Sequence, residues 1–384
     1  MKISFEGQVL CSNYKTGIGW YAFNIINKII NLGSAHQFEI NIFDFLCNLK
    51  SYQQINNLFR SHDTLNINKC IWFHNGVYIR NQDLLSFIPY NSLFNSHAQV
   101  AHFFNYFIPK NIKSKTVVTI YDMVYKLYPE TMYKSNYDLL SKNTQRSAQA
   151  ADIILTISEN SKEEIVDLLN VPDEKVKIAY PATDTSVFYP KTEVTDRNIL
   201  INKYGIDREY ILYLGTLEPR KNIPALVKAF KIVSNENQDI KLVLAGGKGW
   251  KYNEIFTLVQ QLKLEDRIIF TGYIDEGDIP VVLSNAIMFV FPSIYEGFGM
   301  PPLEAMACGT PVIVSNSSSL PEVVGDAGIQ VEPKDIERMA NEMGRLINDT
   351  ELRKHYSKKG IVQAKKFSWE QSAKTVLDIY HSLV

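Results

Sequence analysis

Short apolar runs rich in β-branched and aromatic residues alternate with helical stretches along this whole chain. The runs are Lys2–Glu6, Phe38–Phe43, Cys70–Phe73, Thr116–Tyr121, Ile153–Ile157 and Val176–Ala179, then Tyr210–Leu214, Lys241–Ala245, Arg267–Phe270, Ile287–Phe291, Pro311–Val314 and Ile329–Val331. Helical periods fall between them, as in Tyr21–Leu32 and Asn222–Val233, and Ser161-Lys-Glu-Glu164 reads as a capping box. Strand alternating with helix is the pattern of parallel sheets covered by helices on both faces. At 384 residues the chain is too long for one ordinary core. Two sets of runs therefore predict two doubly wound α/β domains. Their join is expected in the polar, aperiodic stretch Val187–Asn198, giving domains 1–190 and 191–368.

Composition narrows the partners. A net charge of −1 argues against a nucleic-acid binder that relies on a strong positive field. Cys11, Cys47, Cys70 and Cys308 are isolated, with neither C-x-x-C nor zinc spacing, and fit a reducing cytoplasm. The start Met1-Lys-Ile-Ser-Phe-Glu6 reads as a strand rather than a signal peptide. No apolar run approaches the roughly 20 residues that span a bilayer. A cytoplasmic location is expected. Between Lys50 and Arg146 eleven Lys/Arg face five Asp/Glu, around the aromatic run Phe103-Phe104-Asn105-Tyr106-Phe107. Such a stretch is either a basic, aromatic surface for anionic lipid or a solvated face over an aromatic core.

Ligands of open parallel sheets bind beyond the carboxyl ends of the strands, so the loops there are where chemistry is expected. In Pro292–Ala305, Glu296 lies in a glycine loop after an apolar strand, and Glu304 follows eight positions later in the first turn of the next helix. Loop glycines let backbone approach a ligand, and a helix N-terminus attracts an anion. Pro301 and Pro302 lack N–H groups, which leaves the amides of Leu303 and Glu304 as donors. Glu296 suits sugar hydroxyls; Glu304 is either a helix cap or a ribose ligand. In Gly215-Thr-Leu-Glu-Pro-Arg-Lys-Asn222, Arg220 and Lys221 precede a helix whose dipole they do not serve. Either they hold an anion there or they are two exposed basic residues. Gly17 and Gly19 form a lone G-x-G ahead of the first helix, a phosphate loop or a plain turn. Gly246 opens Gly-Gly-Lys-Gly-Trp250, which is a nucleotide loop or a flexible turn. His102 and Asp122 lie at expected strand ends, where a lone histidine is either structural or catalytic.

Together these loops resemble the retaining glycosyltransferases of family 4, and the resemblance extends over nearly the whole chain. It is carried by Glu296 and Glu304 as an E-x7-E motif, by Gly215–Asn222, by Ala151-Asp-Ile-Ile-Leu-Thr-Ile-Ser-Glu-Asn-Ser161, by Gly272-Tyr-Ile-Asp275 and by Phe367-Ser-Trp369. Mannosyltransferases of bacterial polysaccharide and O-antigen assembly are the nearest in pattern. The resemblance implies the GT-B fold, two Rossmann-like domains facing a central cleft. The first would bind the acceptor, the second the nucleotide-sugar donor, with the final helix, residues 369–384, crossing back to the first. It implies that Lys221 and Arg220 bind the donor diphosphate. Glu296, with the amides of Gly297, Phe298, Gly299 and Met300, would hold the donor sugar, and Leu303 would line the helix start. Glu304 would bind the ribose, Gly17 and Gly19 would admit the phosphate, and Tyr273 and Ile274 would border the base. Two departures stand out. Tyr121 replaces a histidine common in the family, and Thr216 replaces a basic residue.

The expected reaction moves a hexose, mannose from GDP-mannose as the best match, to a hydroxyl of a growing glycan or lipid-linked acceptor. No cofactor is expected, nor a metal, since no D-x-D cluster is present. No nucleic acid is expected as a partner, and peripheral contact with the inner face of the cytoplasmic membrane is. Arg220 and Lys221 would stabilise the charge growing on the leaving diphosphate. A glycosidase pair flanks the scissile bond, whereas a loop–helix unit puts both glutamates on one side of the ligand. Two other readings use the same fold. An epimerase or hydrolase would need His102 and Asp122 as its acid/base pair. An inactive nucleotide-sugar-binding module would fit the replacements Tyr121 and Thr216.

Overall fold

The computed structural model describes residues 1–11, 17–33, 35–45, 49–59, 62 and 65–384; Thr16 and Cys47 lie outside them. The chain forms two compact units, Met1–Pro181 with Trp369–Val384, and Ala182–Ser368. The division falls ahead of residue 190. The polar stretch expected as a linker is tied into the second unit instead. There the Lys191 amide donates to Ser284 Oγ (2.9 Å), Asn285 Nδ2 donates to the Lys191 carbonyl (3.0 Å), and residues Val194–Tyr204 are helical.

Among the described residues of the first unit, seven strands form one sheet: β1 (Lys2–Glu6), β2 (Gln37–Phe43), β3 (Leu65–Cys70), β4 (Val100–Phe103), β5 (Lys115–Thr119), β6 (Ile153–Thr156) and β7 (Val176–Ile178). Their order is β3-β2-β1-β4-β5-β6-β7, and the pairings are parallel. The second unit carries β8 (Tyr210–Leu214), β9 (Lys241–Ala245), β10 (Ile268–Gly272), β11 (Met288–Phe291), β12 (Val312–Ser315) and β13 (Ile329–Val331), in the parallel order β10-β9-β8-β11-β12-β13. Strand order reverses between β1 and β4 in one sheet and between β8 and β11 in the other. Those are the switch points at which such sheets bind ligands. Central strands read as unbroken apolar runs because both faces are covered. Leu212, Phe289, Val290, Phe291, Val312, Ile313 and Val314 are all fully buried.

The sequence misplaced several elements of the first unit. The strand expected at Cys70–Phe73 ends at Cys70 instead, and Trp72 is 73% exposed. The true edge strand β3 alternates polar and apolar residues, a weaker signal than the apolar run after it. Strand β4 is not among the expected runs, because His102 interrupts its apolar stretch; His102 lies within it, fully buried, rather than at its open end. The capping box at Ser161 is also corrected. The helix Glu159–Leu169 starts earlier, with Ser158 as cap accepting the Ser161 amide (3.1 Å). Phe103, Phe104 and Tyr106 are core residues rather than a lipid-facing surface. Gly17 and Gly19 stand inside the first turn of the helix Gly17–Leu32, not in a loop ahead of it.

The final helix, Trp369–Leu383, packs on Gly17–Leu32 within the first unit, with Trp369 edge-on to Tyr21 at 5.8 Å. Its fully buried Tyr380 hydroxyl lies 2.6 Å from His102 Nδ1. Among the described residues no helix is long and apolar enough to cross a membrane.

Candidate active site

The second unit builds a charged cluster at its switch point. After β8 the chain makes a tight turn, Pro219–Lys221, and Asn222 follows with φ +54°, a left-handed conformation that Asn tolerates. The Asn222 side-chain Nδ2 donates to the carbonyls of Pro292 (3.2 Å) and Pro333 (2.6 Å), and the Ile294 backbone amide donates to the Arg220 carbonyl (2.9 Å). The loop after β8 is thereby fixed to the loop after β11. This brings Lys221 Nζ to 2.5 Å from Glu296 Oε1 and Arg220 Nη1 to 3.0 Å from Glu296 Oε2. Arg220 also donates to the Tyr295 carbonyl (2.6 Å) and to Glu218 Oε1 (2.8 Å). Lys221 lies over the Phe291 ring at 5.1 Å.

Glu296 is 8% exposed, so burial alone would raise its pKa; Arg220 and Lys221 outweigh that and hold the carboxyl down at about 2. Burial lowers the Lys221 ammonium, with Glu296 opposing and Arg220 adding to the fall. The cluster pairs two cations with two carboxylates, Lys221 and Glu296 being its more deeply buried members, and buried charges hold only while paired.

A run of small polar residues after β12, absent from the candidates read in the sequence, fixes the glutamate loop. The Glu296 amide donates to Ser318 Oγ (2.8 Å), and Ser319 Oγ donates to the carbonyls of Glu296 (2.8 Å) and Phe298 (2.7 Å). Ser317 Oγ donates to the Ile294 carbonyl (2.9 Å), and Ser315 Oγ to that of Ser293. The signal was available: four polar residues, Asn316–Ser319, directly follow an apolar strand.

The helix after this loop runs Met300–Ala307. Gly299, at φ +120°, precedes it, and a side chain there would meet Leu320 at 2.7 Å. The Leu303 amide, expected as an anion donor, bonds the Gly299 carbonyl instead (3.3 Å). Of the first three helical residues only Met300 carries an N–H, because the next two are prolines. Glu304 is the fifth helical residue rather than a first-turn cap. No side-chain hydrogen bond or ion pair holds its carboxyl among the described residues, and burial pushes its pKa up to about 8.

Gly246 has a structural duty. At φ +134°, its added Cβ would sit 2.1 Å from the Gly215 carbonyl oxygen. The Leu217 amide donates to the Gly247 carbonyl (2.9 Å) and the Gly249 amide to that of Leu217 (3.1 Å). The loops after β8 and β9 are thus zipped together, and Gly246 forms part of that zip rather than of a flexible turn. At the end of β10, Gly272 turns at φ +69°; beyond it Tyr273 is 60% exposed and Ile274 is buried. Only Tyr273 of that pair presents its side chain.

In the first unit His102 is corrected from an open strand end to the core. Its Nδ1 meets Tyr380 and its Nε2 meets Thr119 Oγ1 (2.8 Å), and burial lowers its pKa to about 3. Asp122 Oδ1 accepts from the Tyr106 hydroxyl (3.2 Å) and the Val124 amide (3.2 Å), in the manner of a turn cap. Neither nitrogen of His102 is turned to Asp122, so the pair that an epimerase would need is not assembled. Tyr121 is buried beside Tyr21 at 5.5 Å, and its hydroxyl has no hydrogen-bond partner among the described residues.

Known proteins are similar to this chain. Residues 196–363 match the family described as Glycosyl transferases group 1. O-antigen chain mannosyltransferase B of Escherichia coli is 35% identical over 281 residues, 73% of either chain. The serotype-specific mannosyltransferase WbdA of Escherichia coli is 30% identical over 278 residues, and the match spans 71% of this chain but only 34% of that one. Sucrose-phosphate synthase from Thermosynechococcus elongatus superposes with a TM-score of 0.73 over 100% of this chain and 98% of its own, at 19% identity. That likeness speaks for the fold, GT-B, with two parallel-sheet Rossmann-like domains.

Proposed function

The chain belongs to the group 1 glycosyl transferases, and we propose that within that family it moves a mannosyl unit from GDP-mannose to a hydroxyl of a growing glycan or lipid-linked acceptor in surface-polysaccharide assembly. The observation that carries this reading is the Lys221–Glu296–Arg220 cluster at the switch point of the second sheet, in a chain 35% identical to an O-antigen mannosyltransferase. The second unit is the donor domain and the first the acceptor domain.

The cluster suggests how the donor is received. Without it, Glu296 and Glu218 together neutralise the two cations, with Glu296 bridging both. An arriving diphosphate competes for Lys221 and Arg220, whose forked and point-charge donors suit phosphate oxygens. Glu296 is then freed to accept hydrogen bonds from the donor sugar's hydroxyls, with the amides from Gly297 to Met300 beside it. Glu304, uncharged by partners, takes the ribose, and Tyr273 borders the base. In the reaction the bond from the anomeric carbon to the diphosphate oxygen breaks and a bond to the acceptor oxygen forms on the same face. The acceptor's proton passes to the departing diphosphate, so configuration is retained, as in family 4. Arg220 and Lys221 stabilise the charge that grows on the leaving group.

Location at the inner face of the cytoplasmic membrane follows from a lipid-linked acceptor and belongs to the same proposal. The test is a thermal-shift screen of nucleotide-sugars, then nucleotide release with free and lipid-linked glycans. GDP-mannose should stabilise the protein most and release GDP only with acceptor. A preference for another donor would overturn the mannosyl assignment, and release without any acceptor would favour a hydrolase.

A further inference from the structure

A small cavity of about 130 Å³ opens in the first unit, built from residues other than those of the donor cluster. Glu6 and Phe103, the last residues of β1 and β4, both line it, which puts it at that sheet's switch point. Tyr78, Tyr90, Asn75 and Asn105 complete its chemistry.

Three polar groups line it, the hydroxyls of Tyr78 and Tyr90 and the carboxyl of the half-buried Glu6. Tyr78 and Tyr90 are 2% and 3% exposed, yet neither hydroxyl has a hydrogen-bond partner among the described residues. Glu6 Oε1 accepts the Gln8 amide (2.8 Å), but no cation pairs with the carboxyl among the described residues. Burial pushes its pKa up to about 7, with the Gln8 amide opposing. The walls are aromatic: Tyr90 lies edge-on to Phe103 at 5.4 Å and tilted to Tyr78 at 6.4 Å.

Size and donor set narrow the ligand. A closed cavity of about 150 Å³ takes one benzene ring, so this smaller, open one can seat one face of a single sugar ring but not a nucleotide. A carboxylate repels phosphate. Carboxamides and tyrosine hydroxyls both donate and accept, and so match hydroxyl groups, which do the same. An ammonium group would satisfy Glu6 alone and leave the donors unmatched. We infer that this cavity binds one pyranose unit of the glycan acceptor, its C–H face on the aromatic rings and its hydroxyls on Glu6, Asn105 and the two tyrosines. The inference rests on the reading of the chain as a glycosyltransferase and adds where its acceptor is recognised.

The test compares the full chain with Glu6→Gln and Tyr90→Phe, measuring nucleotide release against a mannose-terminated oligosaccharide. Losing a hydrogen bond to a charged group should raise the acceptor KM about tenfold to a hundredfold for Glu6→Gln, and several-fold for Tyr90→Phe, which removes one oxygen and should fold normally. The donor KM reports on the other unit and should stay within about twofold. Unchanged acceptor KM in both variants, or equal changes in donor and acceptor KM, would overturn the inference. If the wild-type chain transfers to no acceptor, the transferase reading fails separately. The cavity is then read by saturation-transfer NMR with methyl α-D-mannopyranoside, where signal in the wild type that falls in Tyr90→Phe supports it. No signal, or signal from tetramethylammonium instead, contradicts it.

Discussion

Glu296 and Glu304 look alike in the sequence, and their surroundings drive them to opposite ends of the pH scale. Two cations hold Glu296 ionised to about pH 2, whereas Glu304, half-buried and without a cation among the described residues, keeps its proton to about pH 8. The consequences for stability have opposite signs. Glu296 contributes stability that is present above its unfolded value of 4.5 and is lost as the pH falls toward about 2. Glu304 contributes stability that is present below 4.5 and is lost as the pH rises toward about 8. Replacing Glu304 with Gln should therefore raise the melting temperature at about pH 9 while leaving it nearly unchanged at about pH 4. Equal melting temperatures at both values would contradict the burial argument. The motif spacing brought both residues to notice. It did not reveal the split, because the cations on Glu296 come from a loop 75 positions away in sequence.

Loops rather than regular elements carry the site's precision, and their glycines fall into two kinds. Gly246 is pressed against the Gly215 backbone at a positive φ, whereas a Cβ on Gly247 would meet nothing within 4 Å. Gly246→Ala should cost about 3 kcal/mol or more, and Gly247→Ala under about 1 kcal/mol, in denaturant unfolding. If the two variants unfolded at the same midpoint, the zip between the loops after β8 and β9 would not hold. The same logic applies to β4, where a histidine sits in a central strand because Tyr380 and Thr119 satisfy both its nitrogens. Tyr380→Phe should cost about 1–3 kcal/mol in the same assay by leaving one nitrogen unpaired; no loss would mean the contact is unimportant. These points explain what sequence reading missed. An apolar period reveals strands buried on both faces, and the six strands of the second unit, four of them largely buried, were found within a residue or two. It is blind to an edge strand that alternates, to a polar residue satisfied by a helix far along the chain, and to serines such as Ser318 and Ser319 that act by holding a loop.

Both parallel sheets reverse their strand order once, and each reversal carries a candidate site. The second unit sets paired charges there, suited to a diphosphate and a sugar; the first sets aromatic rings, amides and a lone carboxyl, suited to a neutral ring. Two doubly wound units were legible from the alternation of strand and helix, while the chemistry of the first unit was not. Its cavity draws on residues scattered from Glu6 to Asn105, which no motif links. The central claim is that Glu296 serves the donor sugar and that Lys221 serves the diphosphate. The most direct test is to titrate GDP into Glu296→Gln and Lys221→Ala and to measure mannosyl transfer by each. Glu296→Gln should lose roughly 10²–10³ in kcat while binding GDP at least as tightly as the wild type, since its cations are released. Lys221→Ala should lose both transfer and GDP affinity. Normal transfer by Glu296→Gln, or unchanged GDP affinity in Lys221→Ala, would contradict the account.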